Sequence, residues 1–172
     1  MGHHGTLYVS APIRRRRDGR FAVKLDPSVR AVLVTMAEQL SPVLGPDEPM
    51  TRRLFPPAYA GEDQQGKEGE YRTLVDSALV NHHREAFALM AATAHADVLT
   101  EPELNAWLSA VGSLRLVLGT RLDVSEDMEA PDPEDATAPE YALYELLGQL
   151  QYLMVEVLAA GLPDEGRPEG TL

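Results

Sequence analysis

The sequence predicts a mainly α protein, a single-domain helical bundle of about four main helices entered through an N-terminal β-hairpin. Three observations predict it. Four stretches repeat apolar residues at three- and four-residue spacing, which places them on one face of a helix. Two of these stretches open on the S/T-x-x-E form of a capping box, Thr100 with Glu103 and Thr137 with Glu140. Ahead of them, Asp18-Gly19 is a two-residue turn signal followed by the alternation Phe21, Val23, Leu25.

Composition sets the bounds. Hydrophobic residues make up 44% and charged residues 24% of the 172, a globular balance. That is the size of one domain, placed at residues 1–160 with a polar, Pro- and Gly-rich flexible tail over 161–172. The net charge of −12 repels nucleic acid and acidic membranes, so DNA binding is possible but disfavoured. The chain has no cysteine, which excludes disulfides, thiolate metal sites and a thiol switch within it. No apolar run approaches the roughly 20 residues of a membrane span. Met1–Ser10 carries no secretory pattern, and the expected location is the cytoplasm. His3 and His4 are given no role.

The hairpin is expected at about residues 7–25. Its first strand holds four consecutive arginines, Arg14, Arg15, Arg16 and Arg17. With Asp18-Gly19 as a two-residue loop, Arg14 and Arg16 lie opposite Val23 and Phe21, unless the register differs. This is the one basic cluster of the chain. It suits an acidic protein surface or a phosphate backbone, and it equally suits a solvated strand whose charge discourages edge pairing.

Asp26-Pro27 is an N-cap followed by Pro at the first helical position. The first helix runs to about Leu40 with Val29, Val32, Leu33, Met36 and Leu40 inward. Five prolines between Ser41 and Ala60 exclude a helix there. Within that loop, Arg52-Arg53-Leu54-Phe55-Pro56-Pro57-Ala58-Tyr59 joins two cations to two aromatics, a segment pinned to the core or a partner surface. Glu70–Leu99 is the longest helical pattern, and its stripe includes Tyr71, Leu74, Val75, Ala78, Leu79, His82, Ala86, Leu89, Met90 and Thr93. His82 falls on the stripe as a core or interface histidine, and His83 beside it. Gly61, Gly66 and Gly69 argue for loop upstream.

Thr100–Val124 is the stretch around which the rest is organised. Leu104, Trp107, Leu108, Val111, Leu114 and Leu118 share a face, and Gly119 is expected in the left-handed conformation that ends a helix. Arg115 and Arg121 bracket that stop. Arg115 lies on the packed stripe, so it is expected to pair with a carboxylate or with backbone carbonyls at a helix end. Ser125–Asp135 is an acidic, Pro-containing loop without the central Gly of a calcium loop. The last helix, to about Ala160, is apolar nearly all round, through Leu143, Leu146, Leu147, Leu150, Leu153, Met154, Val157 and Leu158 on one side and Tyr141, Tyr144, Tyr152 and Val155 on the other. Such a helix is central to its bundle or buried by a second subunit, so homodimerisation through Tyr141–Leu158 is an expectation.

No Gly-rich phosphate loop, nucleophile elbow or metal-ligand spacing is present, so no catalytic residue, metal or cofactor is assigned and no enzyme is expected. Arg52-Arg53-Leu54-Phe55-Pro56-Pro57-Ala58-Tyr59, Glu70-Tyr71-Arg72, Trp107-Leu108 and the run Leu114–Val124 (LRLVLGTRLDV) resemble, in order and spacing, an actinobacterial family named for an oxidative-stress transcriptional regulator (AosR-like), over about residues 21–158. The resemblance implies a mainly helical, cytosolic regulator of stress or sulfur physiology. It also implies genes placed between a Clp protease adaptor and a cysteine-synthesis cluster. Two departures stand out. Thiol sensing in the regulatory member requires cysteines that this chain lacks, and the family's Asn-Asp before Leu-Arg-Leu is Gly112-Ser113 here.

The expected function is therefore non-enzymatic regulation through protein–protein contact, with a partner such as a sigma factor or RNA polymerase. DNA binding through the Arg14–Arg17 cluster and partnership with the Clp proteolytic machinery are alternatives. A further one is an anion pocket built from Arg52, Arg53, Arg115 and Arg121, which requires those guanidiniums to converge.

Overall fold

A computed structural model describes residues 11–55 and 67–161. The start of the expected hairpin before Ala11, the Pro56–Tyr59 portion of the aromatic loop and the tail beyond Gly161 lie outside the described residues. The chain is mainly α, with four helices and a small antiparallel sheet at the N-terminal end.

Strands β1 (Ile13–Arg15) and β2 (Phe21–Val23) form the hairpin, one residue out of the expected register: Ile13 faces Val23, Arg14 faces Ala22 and Arg15 faces Phe21. The shift comes from the loop. The Arg16 N–H donates to the Arg20 carbonyl (2.8 Å) and the Gly19 N–H to the Arg16 carbonyl (3.2 Å), with Gly19 at φ 80°. That is a three-residue loop closed by a left-handed glycine rather than a two-residue one. A one-residue slip exchanges faces, so Ile13, Phe21 and Val23 point inward while Arg14 points out.

Helix α1 (Pro27–Leu40) starts as expected, with the Asp26 carboxylate accepting from the Ser28 N–H at 2.8 Å. Its inner face holds the expected Leu33 and Leu40, buried, and Val29 and Met36 against the core; Arg30 and Ala37 join them, and Val32 is 40% exposed. Arg30 is the buried cation of this face. At 6% exposure it donates to the carbonyls of Val23 (2.9 Å), Leu25 (3.3 Å), Ala94 (2.7 Å) and Ala96 (2.9 Å), tying β2 to the turn that follows the second helix. A guanidinium offers five donors in a planar fork, which suits it to a cluster of carbonyls at element ends.

Two single 3₁₀ turns, Ser41–Val43 and Arg52–Leu54, lead on from α1. Thr51 is fully buried and ties the loop to itself: its Oγ1 donates to the Gly45 carbonyl (2.9 Å) and accepts from the Gly45 N–H (3.2 Å). Leu54 and Phe55 are buried in the core, as a pinned loop requires.

Helix α2 spans Lys67–Ala92 and so corrects the expected Glu70–Leu99 at both ends. Its C-terminal end stops early because Val98–Leu99 is a third strand, β3, paired with β2 (Phe21 to Leu99, Ala22 to Val98). At its start, Gly69 is helical, with open space around it. The expected stripe holds in the C-terminal half, at Leu79, Ala86 and Met90, and fails in the N-terminal half. Ala86, Phe87 and Met90 are buried, with Leu79 and Val80 beside them, whereas Tyr71 (71% exposed) and Leu74 (69%) stand in solvent.

Helix α3 (Glu101–Arg121) is the centre of the bundle, packed against α1, α2, a C-terminal helix α4 (Ala138–Ala159) and the Arg52–Leu54 turn. The Thr100–Glu103 capping box forms in both directions, at 3.4 Å from the Glu103 N–H and 2.8 Å from the Thr100 N–H. Leu104, Trp107, Val111 and Leu114 are wholly buried in one contiguous core with Ile13, Phe21, Leu33, Met90, Leu147 and Met154. Gly119 does not end the helix. The left-handed residue is Asp123 (φ 51°), and the Val124 and Asp123 N–H groups return to the Gly119 (3.0 Å) and Thr120 (3.3 Å) carbonyls in a Schellman closure.

The second expected capping box is absent. Asp135 accepts from the Thr137 N–H (2.9 Å) and hydroxyl (2.8 Å), and Glu140 instead pairs with Arg121 at 3.0 Å. Helix α4 buries Leu147, Leu150 and Met154 and exposes Tyr152 and Val155. Among the described residues, no helix is long and apolar enough to cross a membrane.

Candidate functional site

The α3–α4 seam is built on three helical glycines, each facing a large side chain of the other helix. A Cβ at Gly112 would stand 3.3 Å from Gln151 Nε2, one at Gly119 3.0 Å from Tyr144 Cε2, and one at Gly148 3.0 Å from Arg115 Nε. Glycine in a helix interior costs up to about 1 kcal/mol relative to alanine, so three in one seam mark a place where side chains need the room.

That room belongs to Arg115. Its guanidinium carbon lies 4.6 Å from the centroid of the Tyr144 ring, a cation–π stack, with Gly148 against its other side. Its Nε is sealed from solvent without a hydrogen-bond partner. The expected carboxylate or carbonyl partner is not there: among the described residues Arg115 makes no ion pair and no side-chain hydrogen bond. Gly112 offers no side chain, and Ser113 turns to the opposite seam, where its Oγ lies 3.2 Å from His83 Nδ1 and donates to the Ser109 carbonyl at 3.0 Å.

Beside this stack opens a cleft of about 290 Å³, lined by Arg53, Arg115, Tyr144 and Gln151 with Leu116 and Val124 as apolar wall. Of the four arginines considered for an anion pocket, Arg53 and Arg115 line this cleft. Arg52 is exposed outside the cleft, and Arg121 points to Glu140.

The hairpin arginines do not form one free basic patch. Arg15 stacks over Phe21 (5.4 Å) and lies against Gly161 at the end of α4, where cations are favoured by the helix dipole. Arg16 and Arg20 converge on Asp18 at 3.4 and 3.1 Å, and the amide of Arg20 is the main cause holding the Asp18 carboxyl below its usual range. Arg14 and Arg17 are left, with Arg17 exposed at the turn and Arg14 on the outer face of β1.

A second polar cluster lies at the α2–α3 seam. His83, not His82, is the half-buried histidine; it meets Phe55 edge-on (5.9 Å) and His82 (5.7 Å). Burial holds its imidazole below the usual histidine range, with the Leu54 carbonyl pulling the other way and the neighbouring His82 adding to the fall. No group of three or more His, Asp or Glu side chains among the described residues is placed to hold a metal ion.

Sequence reasoning missed Arg30, His83 and the glycine seam. Gly112 and Gly119 are seven residues apart and so share a helix face, a local signal of close packing that was available. Arg30 carried no such signal.

Fold and cleft together define a small mainly α domain with a cationic, aromatic-backed recess on its central helix. The chain belongs to the family described as domain of unknown function DUF2017, whose family model matches residues 10–158. It is 31% identical, over 133 residues, to a protein of Mycobacterium leprae (strain TN) named "Putative oxidative stress regulator AosR"; the match covers 67% of this chain and 60% of that protein. No solved structure matches the chain.

Proposed function

We propose that this chain is a non-enzymatic, stress-linked regulatory protein that acts in the cytoplasm through protein–protein contact, in transcription, with a sigma factor or RNA polymerase as the partner. The name of the M. leprae relative supports a regulatory stress role. The observation that carries the contact reading is on α2: Tyr71, Leu74 and Val75 stand at i, i+3 and i+4, exposed on one helix face, the arrangement by which an amphipathic helix engages a partner. Tyr152 and Val155 on α4 give a second exposed apolar pair, which supports homodimerisation through residues 141–158. A chain without cysteine does not sense peroxide through its own thiols, so redox sensing is lost in this member or runs by another route.

The test is capture of partners from the host lysate by the wild-type chain and by Leu74→Glu, with and without peroxide. Recovery of a sigma factor or RNA polymerase by the wild type and its loss with Leu74→Glu is the expected result. Recovery of Clp components alone moves the reading to proteolysis. Sedimentation at micromolar concentration checks the dimer, and a monomeric mass removes it. Direct DNA contact draws support from Arg14 and Arg17 alone, because Asp18 takes Arg16 and Arg20. It demands a complex that weakens steeply with salt, and no complex at either of two salt concentrations dismisses it.

A further inference from the structure

We propose that the α3–α4 cleft is a binding site for a small organic oxyanion, a carboxylate or a phosphate ester, held between Arg115 and Arg53. Two cations line one recess of about 290 Å³ in a chain whose net charge is −12, and neither has a carboxylate partner among the described residues. Like charges sharing a recess repel, and a half-buried guanidinium without a counter-ion is costly; an anion between them removes both penalties. Glu145 lines a further recess with Arg115 but makes no ion pair with it among the described residues, and Glu140 is held by Arg121.

The recess is preformed rather than accidental. Gly148 admits the Arg115 side chain, Tyr144 supports its guanidinium face at 4.6 Å, and Gly119 admits the Tyr144 ring. Only Nε of Arg115 is sealed without a partner, so its two Nη groups remain accessible as the fork that matches an oxyanion. Gln151, seated against Gly112, adds an amide, and Leu116 and Val124 offer apolar surface to a short carbon skeleton. The volume lies at the small end of ligand sites, which excludes a nucleotide-sized occupant. This site stands apart from the regulatory reading, since the isolated protein tests it with no partner present.

The experiment is a titration of ¹⁵N-labelled protein with inorganic phosphate and, separately, with succinate at constant ionic strength, following the arginine Nε–H resonances and the thermal midpoint. We expect a saturable shift of the Arg115 and Arg53 signals at about 1 mM or tighter for one of the two anions, which identifies phosphate or carboxylate as the chemistry taken. Arg115→Gln should weaken binding roughly ten- to a hundredfold, and Arg53→Gln, on an exposed turn that leaves the core untouched, about tenfold. A purely structural Arg115 would make Arg115→Gln less stable. The site predicts a higher midpoint for ligand-free Arg115→Gln and loss of the anion-dependent rise seen in the wild type. No saturable shift with either anion, or shifts of equal size in Arg115→Gln or at Arg14, would overturn the proposal.

Discussion

The two seams of the central helix are built on opposite plans. Against α2, helix α3 presents Trp107, Ala110 and Ser113, and Trp107 Nε1–H donates to Thr93 Oγ1 at 2.7 Å while Ser113 Oγ lies 3.2 Å from His83 Nδ1, leaving His83 Nε2 buried without a partner. Against α4, it presents Gly112, Arg115 and Gly119, and the seam keeps a cleft and an unpartnered guanidinium nitrogen. One helix thus carries stability on one side and a potential site on the other. Packing density is what separates them: a filled seam fixes the fold, and a notched one holds a charge ready.

The largest effect is expected in the filled seam. Trp107→Ala removes a fully buried indole and its hydrogen bond to Thr93 Oγ1, and should lower stability by about 3–5 kcal/mol in urea unfolding. Loss under about 1 kcal/mol would mean that α2 and α3 do not depend on this contact. Arg30→Met comes next. It keeps much of the side-chain volume but leaves four carbonyls without their donor, for a loss of about 2–4 kcal/mol and early loss of amide protection at β3.

Glycine substitutions sharpen the contrast. In open space at Gly69, alanine should stabilise α2 by roughly 0.5–1 kcal/mol through helix propensity alone. At Gly119 the same change gains that propensity and sets a methyl 3.0 Å from Tyr144, so a net loss of about 1 kcal/mol is expected from thermal unfolding. If Gly119→Ala stabilised the protein as Gly69→Ala does, the α3–α4 seam would be looser than its geometry implies.

What the sequence made legible was local. Asp26 with Ser28, and Thr100 with Glu103, are contacts a few residues apart, so residue type alone foretells them. The element order followed from periodicity for the same reason. What failed was set at a distance. The N-terminal half of α2 was misread as core because it displays Tyr71, Leu74 and Val75 to solvent, which periodicity cannot distinguish from a core face. The end of α2 was misread because Val98 and Leu99 pair with β2, far away in sequence. Arg53 and Arg115 line one cleft, whereas Arg121 and Arg52 are kept from it by where Glu140 and the Arg52–Leu54 turn sit. Arg115 was expected to be neutralised, since a charge on a packed stripe ordinarily is; the Gly148 notch that seats it lies on another helix.

The smallest effect belongs to His83. Its folded-state pKa is depressed from 6.5, chiefly by burial, so the unfolded chain binds the proton more readily than the native one. Stability is therefore complete above about pH 6.5 and declines as pH falls through that value toward the lower folded pKa. Protonation also sets a cation against His82 at 5.7 Å and against the buried edge of Phe55. The ring is only half-buried, so solvent screens the effect and a fall of a few degrees in thermal midpoint between pH 7.5 and 5.5 is the scale expected. His83→Gln, which keeps a polar group toward Ser113 without a titrating proton, should flatten that slope, while His82→Gln on the exposed side should leave most of it. If the slope between pH 7.5 and 5.5 survives in His83→Gln, His83 is not its source; Asp18, Asp26 and Asp135, whose carboxyls are held below 3.8 by hydrogen bonds from Arg20, Ser28 and Thr137, stay ionised across that window and cost stability only as pH falls through 3.8.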